Sequence, residues 1–210
     1  MEFIREDVAG WLRDRARVEG DPVLEAMHRE AEERGFPIVG PEVGRLLFQL
    51  ARLSGAKRVF EMGSGFGYST LWFARAVGEG GRVYHTDGSA ENAAKAREYL
   101  ERAGLLERVV VQTGDALELL QNTSGDFDII FMDIDKDQYP SAYEAFRDRV
   151  SPGGLVIVDN LVWSGLVAEG DQGPTTEGIR RYIELMWNDD RFISSLMPVR
   201  DGVGISLRVQ

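Results

Sequence analysis

From residue 58 onwards, short apolar segments alternate regularly with amphipathic ones, and this alternation constrains the fold more than any other feature. Continuous apolar runs of this length are typical of strands buried on both faces of a parallel sheet. Five strands are predicted, over Arg58–Met62, Arg82–Asp87, 109–112, Phe127–Met132 and 155–158. Helices are predicted between them over Tyr68–Val77, 90–103 and 139–150.

The last part of the chain has a different pattern. A helix is predicted over 176–186, followed by strands over 192–196 and 204–209. Asp201 and Gly202 stand between these two strands and form a dipeptide that is typical of a hairpin turn. We therefore expect an antiparallel hairpin to extend the parallel sheet.

The first 55 residues have a helical pattern. Amphipathic helices are predicted around Trp11 and Leu12, over Pro22–Arg34 and over 41–53. The prediction is one α/β domain over 1–210, in which a helical cap (1–55) precedes a Rossmann-like, doubly wound core (56–210). In such a sheet, ligands bind beyond the carboxyl ends of the strands.

The composition of the chain excludes several classes of protein and several kinds of site. The 210 residues are 43% hydrophobic and 28% charged, which is ordinary for one soluble domain. The absence of cysteine excludes disulfides, thiolate metal ligands and cysteine nucleophiles. No apolar run approaches the roughly 18 residues of a membrane span, and residues 1–20 lack a signal-peptide core, so we expect a cytoplasmic protein. The formal net charge of -11 disfavours general nucleic-acid binding.

Lysine is rare in this chain. The 24 basic residues include only three lysines, Lys57, Lys95 and Lys136, and the other 21 are arginines. Arginine cannot give up its proton in a protein, whereas lysine can. The bias therefore nominates these positions for a titratable amine, although chance alone would also leave a few lysines.

A glycine-rich loop follows the first predicted strand. Glu61 precedes Gly63, Gly65 and Gly67, and such glycines let a loop approach a ligand closely ahead of a helix N-terminus. The dinucleotide fingerprint requires a glycine where Tyr68 stands. The loop therefore fits a nucleoside without a pyrophosphate better. The alternative is a tight strand-to-helix turn without a ligand.

Acidic residues follow the second and third strands. Asp87 stands 24 residues after Gly63, where dinucleotide-binding folds place the carboxylate that accepts ribose hydroxyls. The third strand leads to Gly114-Asp115-Ala116, a segment placed to contact an adenine. Asp115 is equally suited to cap the N-terminus of a helix.

Two more acids follow the fourth and fifth strands. Asp133 ends the fourth strand, and Asp159 with Asn160 ends the fifth. Hard oxygen ligands of this kind suit Mg²⁺, and the isolated residues His28 and His85 offer no competing cluster. Helix capping or solvation would explain either acid alone. The convergence of both beside an asparagine favours a metal site.

Together these residues resemble the cation-dependent class I S-adenosylmethionine (SAM) O-methyltransferases, the family of the catechol and caffeoyl-CoA O-methyltransferases. The resemblance runs from about Val39 to the C-terminus. Its motifs are Glu61-Met62-Gly63 through Gly67-Tyr68-Ser69, Gly114-Asp115-Ala116, 131–136 with Tyr139, Asp159-Asn160, Trp163-Ser164-Gly165 and Asp201-Gly202.

The resemblance implies a role for each matching residue. Asp133, Asp159 and Asn160 match the metal ligands, and Lys136 matches the catalytic lysine. The candidate SAM-binding residues, with their neighbours in the same loops, are Val39, Glu61, Gly63, Ser64, Gly67, Ser69, Asp87, Asp115, Ala116 and Asp133. The family is commonly dimeric, which implies a homodimer.

The implied reaction is methyl transfer from SAM to a hydroxyl of an acceptor chelated by a divalent cation, with Lys136 as general base. Mg²⁺ is the expected cation, with Ca²⁺ or Mn²⁺ as alternatives. The expected acceptor is a small catechol-like molecule, because the N-terminal arm lacks a basic cluster for the phosphates of coenzyme A. A transfer RNA carrying hydroxyuridine is the alternative acceptor, which the net charge of -11 disfavours.

Three other classes of protein share some of these features. A nucleotide-binding oxidoreductase shares the fold but requires the missing glycine. A phosphatase with an Asp-x-Asp strand end requires threonine or valine where Asp137 stands. A noncatalytic binding module has no reason to gather Asp133, Lys136, Asp159 and Asn160.

Overall fold

The computed structural model describes residues 5–210, so the first four residues of the predicted cap lie outside the described part. In this part, seven strands form one sheet: β1 (Arg58–Met62), β2 (Arg82–Asp87), β3 (Val109–Thr113), β4 (Phe127–Met132), β5 (Val150–Val158), β6 (Phe192–Met197) and β7 (Val203–Arg208). Their order across the sheet is β3-β2-β1-β4-β5-β7-β6. Strands β1 to β5 are parallel, and β7 runs antiparallel to both of its neighbours. The predicted parallel sheet with a C-terminal hairpin is therefore confirmed.

Helices cover both faces of the sheet. The α-helices of the described residues are α1 (Glu6–Ala16), α2 (Pro22–Arg34), α3 (Gly40–Leu53), α4 (Tyr68–Val77), α5 (Ala90–Arg102), α6 (Ala116–Asn122), α7 (Tyr139–Phe146), α8 (Leu166–Glu169) and α9 (Pro174–Trp187). One apolar layer lies between the sheet and α2 to α5, and the other lies beneath α6, α7 and α9. None of these helices is long and apolar enough to cross a membrane.

The central strands supply side chains to both layers. Ile129 and Phe131 of β4 pack in the first layer, and Ile130 and Met132 pack in the second, all fully buried. This explains why the sequence of β4 is continuously apolar. The expectation of burial on both faces is wrong for β3, where Val110 is 38% exposed. An edge strand has a neighbour on one side only, so its faces are covered incompletely.

One predicted boundary is also wrong. The helix predicted over 139–150 is α7, which ends at Phe146. Val150 is instead the first residue of β5, where it is buried and pairs with Phe127 of β4. A valine fits a buried helix face and a buried strand equally well, so the pattern alone could not separate them. The sequence also did not predict the short helices α6 and α8, which have seven and four residues.

The helical cap is fastened to the core through α4. Oδ1 of Asp21, the N-cap residue of α2, accepts hydrogen bonds from N of Leu24 and Nη2 of Arg75, both at 3.1 Å. On α3, a Cβ built at Gly44 would overlap the indole of Trp72 on α4. These contacts hold α2 and α3 against α4, on one face of the sheet.

Candidate active site

The carboxyl ends of β1 to β5 border one cavity of about 840 Å³. It lies beside β1, where the strand order reverses, which is the usual ligand position in such sheets. Eight of the ten predicted SAM-binding residues line it: Val39, Gly63, Ser64, Ser69, Asp87, Asp115, Ala116 and Asp133. The candidate base and metal ligands line the same cavity: Asp133, Lys136, Asp159 and Asn160. The remaining two predicted residues, Glu61 and Gly67, do not line it.

The glycine loop between β1 and α4 brings its backbone against the end of β4. Gly63 has a φ of 80°, and a Cβ built there would lie 2.5 Å from the carbonyl oxygen of Asp133. Both the left-handed φ and the close contact require glycine. The loop is also tied to β2, because N of Ser64 donates to O of Thr86 at 2.9 Å. It therefore makes a tight turn and presents its backbone to the cavity.

Asp87 ends β2, and three donors hold its carboxylate. Oδ2 accepts from N of Gly65 at 2.9 Å, while Oδ1 accepts from N of Ser89 at 2.8 Å and Nδ2 of Asn92 at 3.0 Å. An ionised carboxylate has about four lone-pair positions, so one position on Oδ2 remains for a ligand hydroxyl. Acceptance of two ribose hydroxyls would require one of the three donors to move away.

The sequence allowed two alternatives for Asp115, a helix cap and a place in the ligand site, and the structure is compatible with both. Its Oδ1 accepts a hydrogen bond from N of Glu118 at 2.9 Å, so it caps α6. It also lines the cavity beside Ala116. Capping uses one carboxylate oxygen, and the other is left for a second contact.

Glu61 is fully buried at the end of β1, and neither of its carboxyl oxygens has a hydrogen-bond partner among the described residues. Burial raises the pKa of Glu61 to about 7, although the nearby hydroxyls of Ser69, Thr70 and Ser64 oppose this rise. Buried polar groups in native proteins are normally hydrogen-bonded. An orphaned acid beside the glycine loop therefore fits a site in which a ligand or its water completes the bonding.

The pairing of the central strands brings Asp133 and Asp159 to the same edge. N of Asp133 donates to O of Met62 at 2.8 Å, and N of Asp159 donates to O of Met132 at 3.2 Å. Asn160 follows with a left-handed φ of 62°, and its N donates to Oδ1 of Asp159 at 2.9 Å. The strand ends thus place two carboxylates and one amide on the wall of the cavity.

The two carboxylates destabilise each other's charged forms. Burial, and then the negative charge of Asp133, raise the pKa of Asp159 to about 7. Burial also raises the pKa of Asp133, while the ammonium of Lys136 opposes that rise. Within residues 5–210, no third histidine, cysteine or acid joins them, so the amide of Asn160 is the candidate third ligand. These hard oxygen donors fit a divalent cation, whose charge would offset the repulsion.

Lys136 lies directly after β4 and is held on three sides. Its Nζ lies 2.7 Å from Oδ1 of Asp133, and its side chain is only 12% exposed. The same Nζ lies 5.6 Å from the ring centroid of Tyr139 and 5.9 Å from that of Trp163. The hydroxyl of Tyr139 donates to O of Asp159 at 2.9 Å, which links this cluster to the end of β5.

The other two lysines have structural contacts away from the cavity. Nζ of Lys57 donates to the carbonyl oxygens of Val77 at 3.0 Å and Glu79 at 3.1 Å. Nζ of Lys95 lies 3.5 Å from Oε2 of Glu98 on the surface. Neither lysine lines the cavity. Of the three positions nominated by the lysine bias, only Lys136 is at the site.

The structure also adds lining residues that the sequence did not nominate. Phe36 and His28 reach the cavity from the cap, and Arg200 reaches it from the turn between β6 and β7. A second cavity of about 1830 Å³ lies under the cap and shares His28, Asn160 and Arg200 with the first. No local sequence pattern points to Phe36 or Arg200, because both reach the site through the packing of distant segments.

Comparisons with known proteins agree with this arrangement. A family model described as O-methyltransferase matches residues 16–209. The chain is 33% identical to a catechol O-methyltransferase of Niastella koreensis, over 98% of this chain and 97% of the relative. It is 35% identical to caffeoyl-CoA O-methyltransferase 1 of Zea mays, over 80% of this chain and 70% of the relative.

A solved structure extends the similarity to three dimensions. The O-methyltransferase from Bacillus cereus in complex with SAH has a TM-score of 0.87 and 33% identity to this chain, covering 96% of this chain and 97% of that one. The family resemblance of the motifs is therefore confirmed by both sequence and fold. The chain belongs to the O-methyltransferase family that includes the catechol and caffeoyl-CoA O-methyltransferases.

Proposed function

We propose that the protein transfers a methyl group from SAM to a hydroxyl of a small catechol-like acceptor that is held by a divalent cation. The observation that carries this proposal is a single cavity with two different walls. The glycine loop and Asp87 form one wall, and Asp133, Lys136, Asp159 and Asn160 form the other. The SAH complex of the B. cereus relative supports the cofactor, since SAH is the product that SAM leaves after methyl transfer. The names of the N. koreensis and Z. mays relatives support a hydroxylated aromatic acceptor.

The glycine-loop wall is assigned to the cofactor. SAM supplies a methyl group on a positively charged sulfur as the electrophile. The backbone around Gly63 and the hydroxyl of Ser69 would border its amino acid part, and Asp87 would accept a ribose hydroxyl. Asp115 and Ala116 would border the adenine. The contribution of these residues is to fix the direction of the methyl group, and positioning of this kind supplies much of the acceleration in two-substrate reactions.

The other wall is assigned to the cation and the acceptor. Asp133, Asp159 and Asn160 would hold the cation, with Mg²⁺ as the first expectation and Ca²⁺ or Mn²⁺ as alternatives for the same donors. Such a cation supplies stabilisation of the ionised acceptor hydroxyl, on a scale indicated by zinc, which lowers the pKa of bound water from ~15.7 to about 7.

Lys136 is the residue assigned to the proton of the acceptor hydroxyl. Its Nζ can accept that proton only as a neutral amine, and in this structure it lies 2.7 Å from Oδ1 of Asp133. Asp133 is also a candidate cation ligand, so its carboxylate is shared between two positive partners. The residue assigned to the proton is therefore in direct contact with a residue assigned to the cation.

The direct test is methyl transfer by the purified protein with SAM and Mg²⁺, measured by mass spectrometry of the acceptor. We expect catechol to become methylated, and we expect hydroxylated and unmodified transfer RNA to remain unchanged. Methylation of hydroxylated transfer RNA alone would replace the acceptor in this proposal. Failure to bind SAM or SAH in calorimetry would contradict the proposal altogether. The cytoplasmic location and the homodimer stay predictions.

A further inference from the structure

Arg200 lies where the active-site cavity meets the larger cavity under the cap, and it lines both. It belongs to the turn between β6 and β7 and has a left-handed φ of 49°. This conformation is uncommon for a residue with a side chain. Its backbone must therefore be held by surrounding contacts, and those contacts also determine where the guanidinium lies.

Two contacts with the cap place the guanidinium. Nη1 of Arg200 donates to the carbonyl oxygen of Ile38 at 2.9 Å, across a sequence separation of 162 residues. The same Nη1 packs on Gly40, where a Cβ would overlap it. Ile38 and Arg200 line the same cavity, so the hydrogen bond lies in its wall. The guanidinium is thus held at the cavity edge by the segment that joins α2 to α3.

The guanidinium retains donors for a ligand. It has five N–H groups, and the carbonyl of Ile38 takes one of them. Within residues 5–210, no carboxylate oxygen lies within 4.0 Å of its nitrogens. The acids around it have other partners or lie further away: Asp201 accepts from N of Ser164, Asp133 pairs with Lys136, and Glu42 flanks Gly40 without forming an ion pair.

Three other arginines of the larger cavity have protein partners for their guanidinium groups. Arg13 pairs with Glu6, and Arg17 pairs with Asp14 at 2.7 Å. Arg45 donates to the carbonyl oxygens of Ala16 at 3.1 Å and Arg17 at 2.8 Å. These side chains hold the cap together. Arg200 instead combines unused donors with a place in the lining of both cavities, which it shares with Asn160.

We propose that Arg200 binds a carboxylate on the acceptor, so that the enzyme prefers catechols that carry an acidic group. This inference rests on the proposed function, because it concerns the acceptor of the same reaction. The planar guanidinium pairs with a carboxylate through two parallel N–H···O bonds, which selects orientation as well as charge. Such a contact would fix which of two neighbouring hydroxyls faces the methyl group. A polyanionic acceptor is opposed by the net charge of -11.

The test compares protocatechuate, a catechol with a ring carboxylate, with its uncharged methyl ester. Arg200→Gln removes the charge and retains an amide donor for Ile38, whereas Arg200→Lys retains the charge. Arg29→Gln is the matched control, since Arg29 lines only the larger cavity and is exposed. Two measurements are made for each variant: the ratio of kcat/KM for the acid to that for the ester, and the calorimetric Kd of each acceptor for the SAH-loaded protein.

For wild type and Arg29→Gln we expect the same preference for the acid. For Arg200→Gln we expect that preference to fall by about 10- to 150-fold, the usual range for a hydrogen bond to a charged group. The Kd of the acid should rise in parallel, and Arg200→Lys should retain part of the preference. Equal losses on the acid and the ester would overturn the inference and leave the proposed function intact. Methylation of neither acceptor by wild type would contradict the proposed function itself.

Discussion

Lys136 and Asp133 form an ion pair directly after β4, with Nζ of Lys136 2.7 Å from Oδ1 of Asp133. The pair joins the candidate general base to a candidate cation ligand, three residues apart on one short turn. The candidate base therefore contacts one of the residues that would hold the cation. Mutation of Lys136 is therefore the most informative test of the mechanism.

Replacement of Lys136 should show whether this residue acts as a general base or only as a positive charge. If Lys136 is the base, Lys136→Ala should lower kcat by roughly 10²–10⁴-fold with little change in SAM affinity. Lys136→Arg keeps the positive charge but cannot accept the proton, so it should be nearly as damaging. Higher pH should partly rescue Lys136→Ala, since more acceptor is then already ionised. Steady-state kinetics across pH provide the measurement.

The control for this series is Lys95→Arg, which makes the same change at a lysine that does not line the cavity. Its kcat should equal that of the wild type. Turnover of Lys136→Arg close to the wild-type value would show that Lys136 stabilises charge and is not the base.

Removal of the cation should abolish methyl transfer. EDTA is expected to stop the reaction and Mg²⁺ to restore it, because cation stabilisation of charge in the transition state is worth several kcal/mol. Asp159→Ala should lower kcat/KM by at least about 100-fold at low Mg²⁺, since each 1.4 kcal/mol corresponds to about a tenfold change. High Mg²⁺ should recover part of that loss, and SAM affinity should stay close to that of the wild type.

Asp126→Ala is the matched control for the cation, because Asp126 is an exposed acid just before the opposite end of β4. It should respond to Mg²⁺ as the wild type does. Full activity of rigorously metal-free protein would exclude the cation from the mechanism.

Asp87→Ala should weaken SAM binding by about 10- to 150-fold, since a hydrogen bond to a charged group contributes about 1.5–3 kcal/mol. Calorimetry of SAM binding provides the measurement. Asp87 also accepts a hydrogen bond from N of Gly65, so its removal disturbs the glycine loop as well. The control must therefore break a hydrogen bond of Asp87 without removing its carboxylate. Asn92→Ala serves this purpose, because Asn92 donates to Asp87 but does not line the cavity, and it should cause a much smaller loss. Unchanged affinity in folded Asp87→Ala would rule out this contact.

Glu61→Gln should change how the free energy of unfolding depends on pH. Burial raises the pKa of Glu61 from 4.5 to about 7, so the folded state holds its proton more tightly than the unfolded state. The stabilisation from this proton is complete below about pH 4.5 and is lost as pH rises to about 7. That shift corresponds to about 3 kcal/mol at 1.36 kcal/mol per pKa unit.

Urea unfolding of the cofactor-free protein at several pH values tests this expectation. The difference in stability between Glu61→Gln and the wild type should grow in favour of the variant between about pH 4.5 and 7, by up to about 3 kcal/mol. A difference that does not change with pH would show that Glu61 has an ordinary pKa.

Much of the site could be predicted because it depends on short segments. Asp133 and Asp159 each end an apolar strand, and the carboxyl ends of parallel strands meet at one edge of the sheet. The glycine loop before Tyr68 is only partly local. The left-handed φ of Gly63 arises within the strand-to-helix turn, whereas its close contact with O of Asp133 arises from the pairing of β1 with β4. The boundary at Val150 was missed since strand pairing with Phe127, and not local preference, decides its conformation.

The sequence by itself determined the succession of strands and longer helices along the chain, the hairpin, and the polar residues at the strand ends, because each depends on periodicity or on residues adjacent in the chain. Only the tertiary structure decided that Lys136, and neither of the other lysines, lies at the cavity, and that no residue in 5–210 forms a hydrogen bond with the carboxyl group of Glu61. It also decided that Arg200 meets Ile38, 162 residues away. Contacts of this kind depend on how the cap packs against the hairpin turn, and no short stretch of sequence encodes that packing.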